Sequence, residues 1–116
     1  MPNLEPQAFS VHSLTSAGAL IVEVAGEVDM TTAPELSRAI DQVPDGTTHV
    51  VVDLSEVSFL DSSGLNALVQ GRRILEERQV AMKVVVPAEG AIRRVFEITH
   101  LTDPLTVVDT RQSALP

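Results

Sequence analysis

Apolar and polar residues follow patterns along the chain that predict five strands. Residues 9–13 alternate between apolar and polar, and residues 20–24 are mostly apolar, so these two segments predict a hairpin with a turn at Gly18. The run at 49–54 is rich in β-branched residues and predicts a strand buried on both faces. Two further apolar runs predict the last strands, at 82–86 and 105–108.

Three segments with helical spacing lie between these strands. Thr32 and Glu35 have the spacing of a capping box, which predicts a helix that runs to about Gln42. A second helix is predicted over residues 62–79, where apolar residues recur at helical spacing and Gly71 would allow a close approach to the sheet. The third predicted helix, which is amphipathic, covers residues 91–98.

The order of these elements predicts an α/β fold. Two strands come first, and helices and strands then alternate to the end of the chain. Such alternation implies a mixed β-sheet with a parallel core, right-handed crossovers and helices packed on the sheet. A chain of 116 residues can bury one modest core, so residues 1–116 are interpreted as a single domain.

Composition narrows the classes of function. The net charge of −8 argues against nucleic acid as a direct partner, because contacts to phosphates require clustered Lys and Arg. No apolar run approaches the roughly 20 residues that span a bilayer, and the start of the chain lacks the pattern of a signal peptide. The chain has no cysteine, so it has neither disulfides nor thiolate metal ligands. We therefore expect a cytoplasmic protein that binds no membrane.

The candidate chemistry lies in residues 53–65. There a buried strand is predicted to end, a short loop to follow, and a helix to begin at Ser62 or Ser63. The first turn of a helix has unpaired N–H groups and partial positive charge, which a serine hydroxyl could cap. A phosphate on that serine would lie in the same field and add roughly two negative charges beside Asp61. Local chemistry alone leaves both a plain N-cap and a phosphorylation switch open.

Enzymatic and metal-binding functions find little support in the sequence. The three histidines are scattered, and no nucleophile elbow motif occurs, which argues against a serine hydrolase. Asp53, Glu56 and Asp61 are close in sequence but are interpreted as solvated loop acids rather than metal ligands. The glycine-rich fingerprints of nucleotide sites are also missing. We expect no enzyme activity, no bound metal and no cofactor.

A phospho-aspartate receiver domain is the most instructive rival. Such a domain has about this length, and its acceptor aspartate ends the third strand, much as Asp53 does here. The sequence lacks the acidic pair that follows an early strand in receivers. It also lacks a lysine after the last strand, since the only lysine is Lys83. These two differences argue against a receiver domain.

Short motifs occur in a specific order along the chain. They are Gly26-Glu27-Val28-Asp29, Val52-Asp53-Leu54-Ser55, Phe59-Leu60-Asp61-Ser62-Ser63-Gly64-Leu65 and Arg93-Arg94-Val95-Phe96-Glu97-Ile98-Thr99. In this order and spacing they resemble the motifs of STAS domains, specifically those of the bacterial anti-sigma factor antagonists. The resemblance covers about residues 8–112, which are interpreted as the core of a single STAS domain.

This resemblance implies a regulator that binds proteins. In the family, the unmodified antagonist binds an anti-sigma factor that is also a serine kinase, and this frees a sigma factor for transcription. The kinase phosphorylates the serine directly after the Asp, which is Ser62 here, and a serine phosphatase reverses the modification. The resemblance implies a partner-binding surface formed by Asp29, Asp61, Ser62, Ser63 and Gly64.

The same resemblance leaves one alternative role. STAS domains also serve as non-switching subunits of transport complexes or larger signalling complexes. The sequence shows no tether to such a complex, and Asp61-Ser62-Ser63-Gly64 is intact. These features favour the antagonist.

Overall fold

One five-stranded sheet organises the chain in the computed structural model, which describes residues 8–116. The strands lie side by side in chain order: β1 Ser10–Ser16, β2 Ala19–Val28, β3 His49–Leu60, β4 Ala81–Val85 and β5 Val107–Val108. β1 and β2 are antiparallel, whereas each later pair of neighbours is parallel. The predicted mixed sheet with a parallel core is confirmed.

The described part of the chain also contains helices, which are α1 Ala33–Asp41, α2 Ser62–Glu77, α3 Ala91–Ile98 and α4 Arg111–Ala114. The first three match the predicted helices and pack on one face of the sheet. Their fully buried side chains there are Leu36, Ile40, Leu68, Leu75 and Phe96. α4 was not expected, because so short a helix shows no periodic pattern in sequence.

β3 is longer than the sequence indicates. Its apolar run predicts an end near Leu54, but β3 continues to Leu60 because β2 keeps pairing with it through two register shifts. β4 pairs with β3 only as far as Asp53, so the last part of β3 lies beside β2 and carries exposed polar residues. The predicted loop before α2 is therefore wrong, and one residue joins the strand to the helix.

Two smaller predictions are also corrected. The last strand is only Val107–Val108, because Leu105 is buried in a turn and its N–H donates to the Leu101 carbonyl (3.0 Å). Gly71 contacts α1 rather than the sheet, since a Cβ at this position would lie 2.8 Å from Ile40 Cγ2. The missing side chain therefore allows α1 and α2 to pack closely together.

The opposite face of the sheet is covered in part by α4. Ile21, Val51 and Val85, one from each central strand, are buried together with Ala114. This cluster is much smaller than the core on the other face. The C-terminal end of the chain therefore completes the second layer of the fold.

An ion pair fixes α4 to the strands beneath it. Arg111 Nε donates to Asp53 Oδ2 (2.9 Å), and Arg111 Nη2 donates to Glu23 Oε2 (2.6 Å). Asp53 is only 8% exposed, so its interpretation as a solvated loop acid is wrong. Burial alone would raise the pKa of Asp53, but hydrogen bonds from Ser55 and Arg111 outweigh burial and lower that pKa below its usual value.

Candidate functional site

Asp61 is the single residue between β3 and α2, and it caps the helix. Its backbone is extended, and Oδ1 accepts hydrogen bonds from the N–H groups of Ser63 (2.9 Å) and Gly64 (3.3 Å). The Asp61 N–H donates to the Val28 carbonyl (3.2 Å), at the end of β2. The start of α2 is thus held by β3, which it directly follows, and by the end of β2.

The serine cap predicted from the sequence is wrong. A capping residue needs a non-helical backbone so that its side chain reaches back to the first-turn N–H groups, and Asp61 meets this condition. Ser62 and Ser63 already belong to the helix. Ser62 is exposed as the first residue of α2, where the partial positive charge of the helix is greatest. The cap and the candidate phosphoacceptor are therefore different residues.

Ser63 and Gly64 differ from Ser62 in exposure. Ser63 is half-buried and lines a groove between α1 and α2. Gly64 is buried, and a Cβ there would clash with Leu60 Cδ1 and lie 2.8 Å from Val28 Cγ1. Its visible role is to let the first turn of α2 pack against the ends of β2 and β3. That either residue contacts a partner stays a prediction.

Asp29 organises the loop between β2 and α1. Its Oδ1 accepts hydrogen bonds from the N–H groups of Thr31 (2.9 Å) and Thr32 (3.1 Å), while its own N–H donates to Thr32 Oγ1 (2.9 Å). Thr32 Oγ1 also donates to the Glu27 carbonyl (2.9 Å). The capping box expected for α1 is corrected, because the Thr32 hydroxyl turns back toward the strand instead of capping the helix.

Asp29 and Asp61 belong to one region. Asp29 follows Val28 in the sequence, and the Val28 carbonyl accepts a hydrogen bond from the Asp61 N–H. Next to them, the groove between α1 and α2 has a volume of about 640 Å³ and is lined by Met30, Ser63 and Arg38, among others. Met30 and Arg38 were not among the predicted site residues. A methionine in a loop gives no periodic signal, so only its exposure in the structure draws attention to it.

The described part of the chain offers neither a cluster of metal ligands nor a membrane-spanning helix. Within residues 8–116, no cluster of three or more His, Asp or Glu side chains has a geometry that could hold a metal ion. The same residues include no helix with the length and apolar character needed to cross a bilayer.

Replacing Asp61 by alanine is expected to lower the free energy of unfolding by about 1–2 kcal/mol, because two first-turn N–H groups lose their acceptor. Asp61→Asn keeps a side-chain oxygen and should lose only about 0.3–1 kcal/mol, from the weaker interaction with the helix dipole. Urea unfolding of the two variants beside the wild type measures both values. Equal losses in the two variants would assign the effect to the charge rather than to the cap.

Comparison with known proteins agrees with this architecture. The model of the STAS domain family matches residues 11–114. The anti-sigma-B factor antagonist of Listeria monocytogenes is 38% identical over 86 residues, which cover 72% of this chain and 74% of that protein. That relative is therefore matched over most of its own length.

Solved structures extend the comparison. An anti-sigma factor antagonist from Mycobacterium paratuberculosis superposes with a TM-score of 0.77 at 32% identity, and the match covers 92% of this chain and 91% of that one. SpoIIAA, an anti-sigma factor antagonist in its unphosphorylated form, gives a TM-score of 0.69 at 25% identity over 92% of both chains. The Bacillus SpoIIAA in the phosphorylated form gives 0.61 at 25% identity, over 92% of this chain and 96% of that one. The relatives from Listeria and Mycobacterium and unphosphorylated SpoIIAA are named anti-sigma factor antagonists, and the chain belongs to the STAS domain family, as its motifs predict.

Proposed function

We propose that this protein is an anti-sigma factor antagonist that acts by binding, without catalysis of its own. In its unmodified form it binds an anti-sigma factor that is also a serine kinase, and this binding frees a sigma factor for transcription. Phosphorylation of Ser62 by that kinase ends the complex, and a serine phosphatase restores the binding form. Such a role requires a cytoplasmic location, where the transcription machinery is found.

One observation carries this proposal: Ser62 is exposed at the first position of α2, directly after the residue that caps the helix. A kinase can reach this hydroxyl, and the cap at Asp61 does not depend on it. The names of the relatives point to the same role, and one relative of this fold, SpoIIAA, is described in both an unphosphorylated and a phosphorylated form.

A change of charge at this site can alter the binding of a partner without a change of fold. Asp61 is hydrogen-bonded to the end of β2 and to the first turn of α2, and Asp29 holds the neighbouring loop. A partner that contacts this region therefore meets a surface of fixed shape. Modification of Ser62 changes the charge of that surface while its hydrogen-bonded support stays in place.

The phosphoacceptor is tested directly with Mg-ATP and the anti-sigma serine kinases encoded in the same genome, each purified and incubated with this protein. One of them is expected to add a single phosphate, located on Ser62 by peptide mass spectrometry. Ser62→Ala should take up none, whereas the matched variant Ser63→Ala should still be modified. The protein incubated with Mg-ATP alone should neither gain phosphate nor hydrolyse ATP.

Several outcomes would count against this assignment. Phosphate confined to Ser63 or to Asp53 would refute Ser62 as the acceptor. A chain that binds a partner but accepts phosphate from none of the kinases would instead fit the non-switching role of a STAS subunit in a larger complex.

A further inference from the structure

Met30 is the most exposed of the large apolar side chains in the part of the chain that the structure describes. It is 78% exposed, on the loop between β2 and α1. A single exposed apolar residue is common on protein surfaces and by itself indicates nothing. The surroundings of Met30 are what distinguish it from the other exposed apolar residues.

The loop that carries Met30 is held on both sides. Asp29 Oδ1 accepts from the N–H of Thr31 (2.9 Å), and the Asp29 carbonyl accepts from the N–H of Thr32 (3.2 Å) and Ala33 (2.8 Å). The loop therefore presents Met30 in a preorganised conformation, which spares a complex the entropic cost of ordering a segment. In this arrangement Asp29 is a positioning residue, because it acts through the loop it holds.

Met30 is also close to the proposed switch. It lines the same groove as Ser63, the residue next to Ser62, and Ala33 and Pro34 extend the apolar wall of that groove. Charged residues of both signs border this groove, since Arg38 and Asp41 line it, but most of the charged residues near Met30 are acidic. Exposed Glu27 and half-buried Asp29 precede Met30 in the sequence, and Asp61 caps the neighbouring helix α2.

We propose that Met30 is the apolar anchor with which this chain docks on its anti-sigma kinase, by entering an apolar pocket that is bordered by Lys or Arg side chains. This inference rests on the proposed function. The acidic surroundings of Met30 specify the basic border of the pocket, because complementary charge steers such surfaces together. Methionine suits this role, since its flexible thioether adapts to an irregular pocket. Anchors of this kind carry most of the affinity of an interface.

Isothermal titration against the same purified anti-sigma serine kinases tests the anchor. Met30→Ala is expected to weaken binding by at least about tenfold, whereas Met30→Leu, which conserves volume, should stay within about threefold of the wild type. Ile98→Ala is the matched control, because Ile98 is 69% exposed on α3 and should leave the affinity within about twofold. Thermal melts should show all three variants folded, since both positions are exposed.

The outcomes separate this inference from the proposed function. If the wild type binds a kinase and Met30→Ala binds it equally well, the anchor is overturned while the proposed function stands. If the wild type binds none of the kinases, both are overturned. Wild-type dimers in sedimentation that are lost in Met30→Ala would assign the anchor to a second copy of this chain and would also overturn the inference.

Discussion

Phosphorylation of Ser62 is expected to weaken binding to the anti-sigma kinase by at least about a hundredfold while it leaves the melting temperature nearly unchanged. Two separate balances of energy lead to this result. The first concerns the isolated fold, and the second concerns the contact with the partner. Both depend on Ser62 being exposed at the start of α2.

Within the isolated fold, two effects of the phosphate oppose each other. The partial positive charge at the start of α2 favours it by about 0.3–1 kcal/mol. Asp61 opposes it through repulsion, and Asp61 already accepts hydrogen bonds from the N–H groups of Ser63 and Gly64. The phosphate therefore gains the field of the helix but not these two donors. The net change in stability is expected to be small.

At the contact with the partner, we expect the basic border proposed for the Met30 pocket to leave the phosphate itself unpaired, because the partner surface at Ser62 fits a neutral hydroxyl. A surface that fits a neutral hydroxyl would bury a dianion without a counterion, and an unpaired buried charge costs about 3–5 kcal/mol. A hundredfold loss of affinity corresponds to only about 2.8 kcal/mol. The charge alone is therefore enough to end the complex, and no change of backbone conformation in this domain is required.

Calorimetric titration of the phosphorylated protein against the kinase tests this expectation. Ser62→Asp carries less charge than phosphoserine and should show a smaller loss in the same direction, whereas Ser62→Ala should bind like the wild type. Ser16→Asp is a matched control. Ser16 is the exposed last residue of β1 and pairs with Ala19 at the start of β2, whereas the Ser62 site lies at the other end of β2. Tight binding by the phosphoprotein would refute the charge mechanism. Shifts of backbone NMR signals across the sheet would replace it with an allosteric one.

The elements that the sequence predicted well are those whose pattern is local. α2 and α3 have apolar residues at helical spacing, and the β-branched run at the start of β3 indicates a buried strand. The sequence does not predict the end of β3, because residues 55–60 are held in the sheet by pairing with β2. β4 does not extend beside them, so several of their side chains are exposed and polar. Pairing between distant segments leaves no periodic signal in either of them.

The site was predicted in part for the same reason. The position of Ser62 at the start of a helix followed from the sequence, and the structure agrees. The identity of the cap depended on which residue has an extended backbone, and the sequence left two serines as candidates. Met30 is exposed on a folded loop in which Asp29 accepts hydrogen bonds from the N–H groups of Thr31 and Thr32. Such details follow from backbone geometry, which composition and periodicity do not specify.

The ion pair between Arg111 and Asp53 is the clearest contact that no local pattern reveals, and its loss is expected to be costly. Arg111→Ala should lower the free energy of unfolding at neutral pH by about 2–3 kcal/mol. The variant leaves a buried carboxylate with hydrogen bonds from Ser55 but without its cation. We place the value below the range for fully buried pairs because the Arg111 side chain is partly exposed to solvent.

The pH dependence of this loss has a definite sign. The pKa of Asp53 is lowered in the folded protein. Its ion pair therefore contributes stability at pH values above the pKa that an aspartate has in an unfolded chain, near 3.9. That contribution disappears as the pH falls through the lowered pKa of the folded state. In Arg111→Ala the cation is gone, so less stability remains to be lost on acidification. The difference between wild type and variant should therefore be largest near neutral pH and shrink below about pH 4.

Urea unfolding of the wild type and Arg111→Ala, at neutral pH and near pH 3, measures this difference directly. Arg94→Ala is the control for loss of a positive charge, because Arg94 is exposed on α3, and it should stay within about 0.5 kcal/mol of the wild type. The loss of stability in the double variant Asp53→Asn/Arg111→Ala should be smaller than the sum of the losses in the two single variants, because either single change already breaks the ion pair. A loss that is equally large at both pH values would show that Arg111 stabilises α4 by packing rather than by its charge.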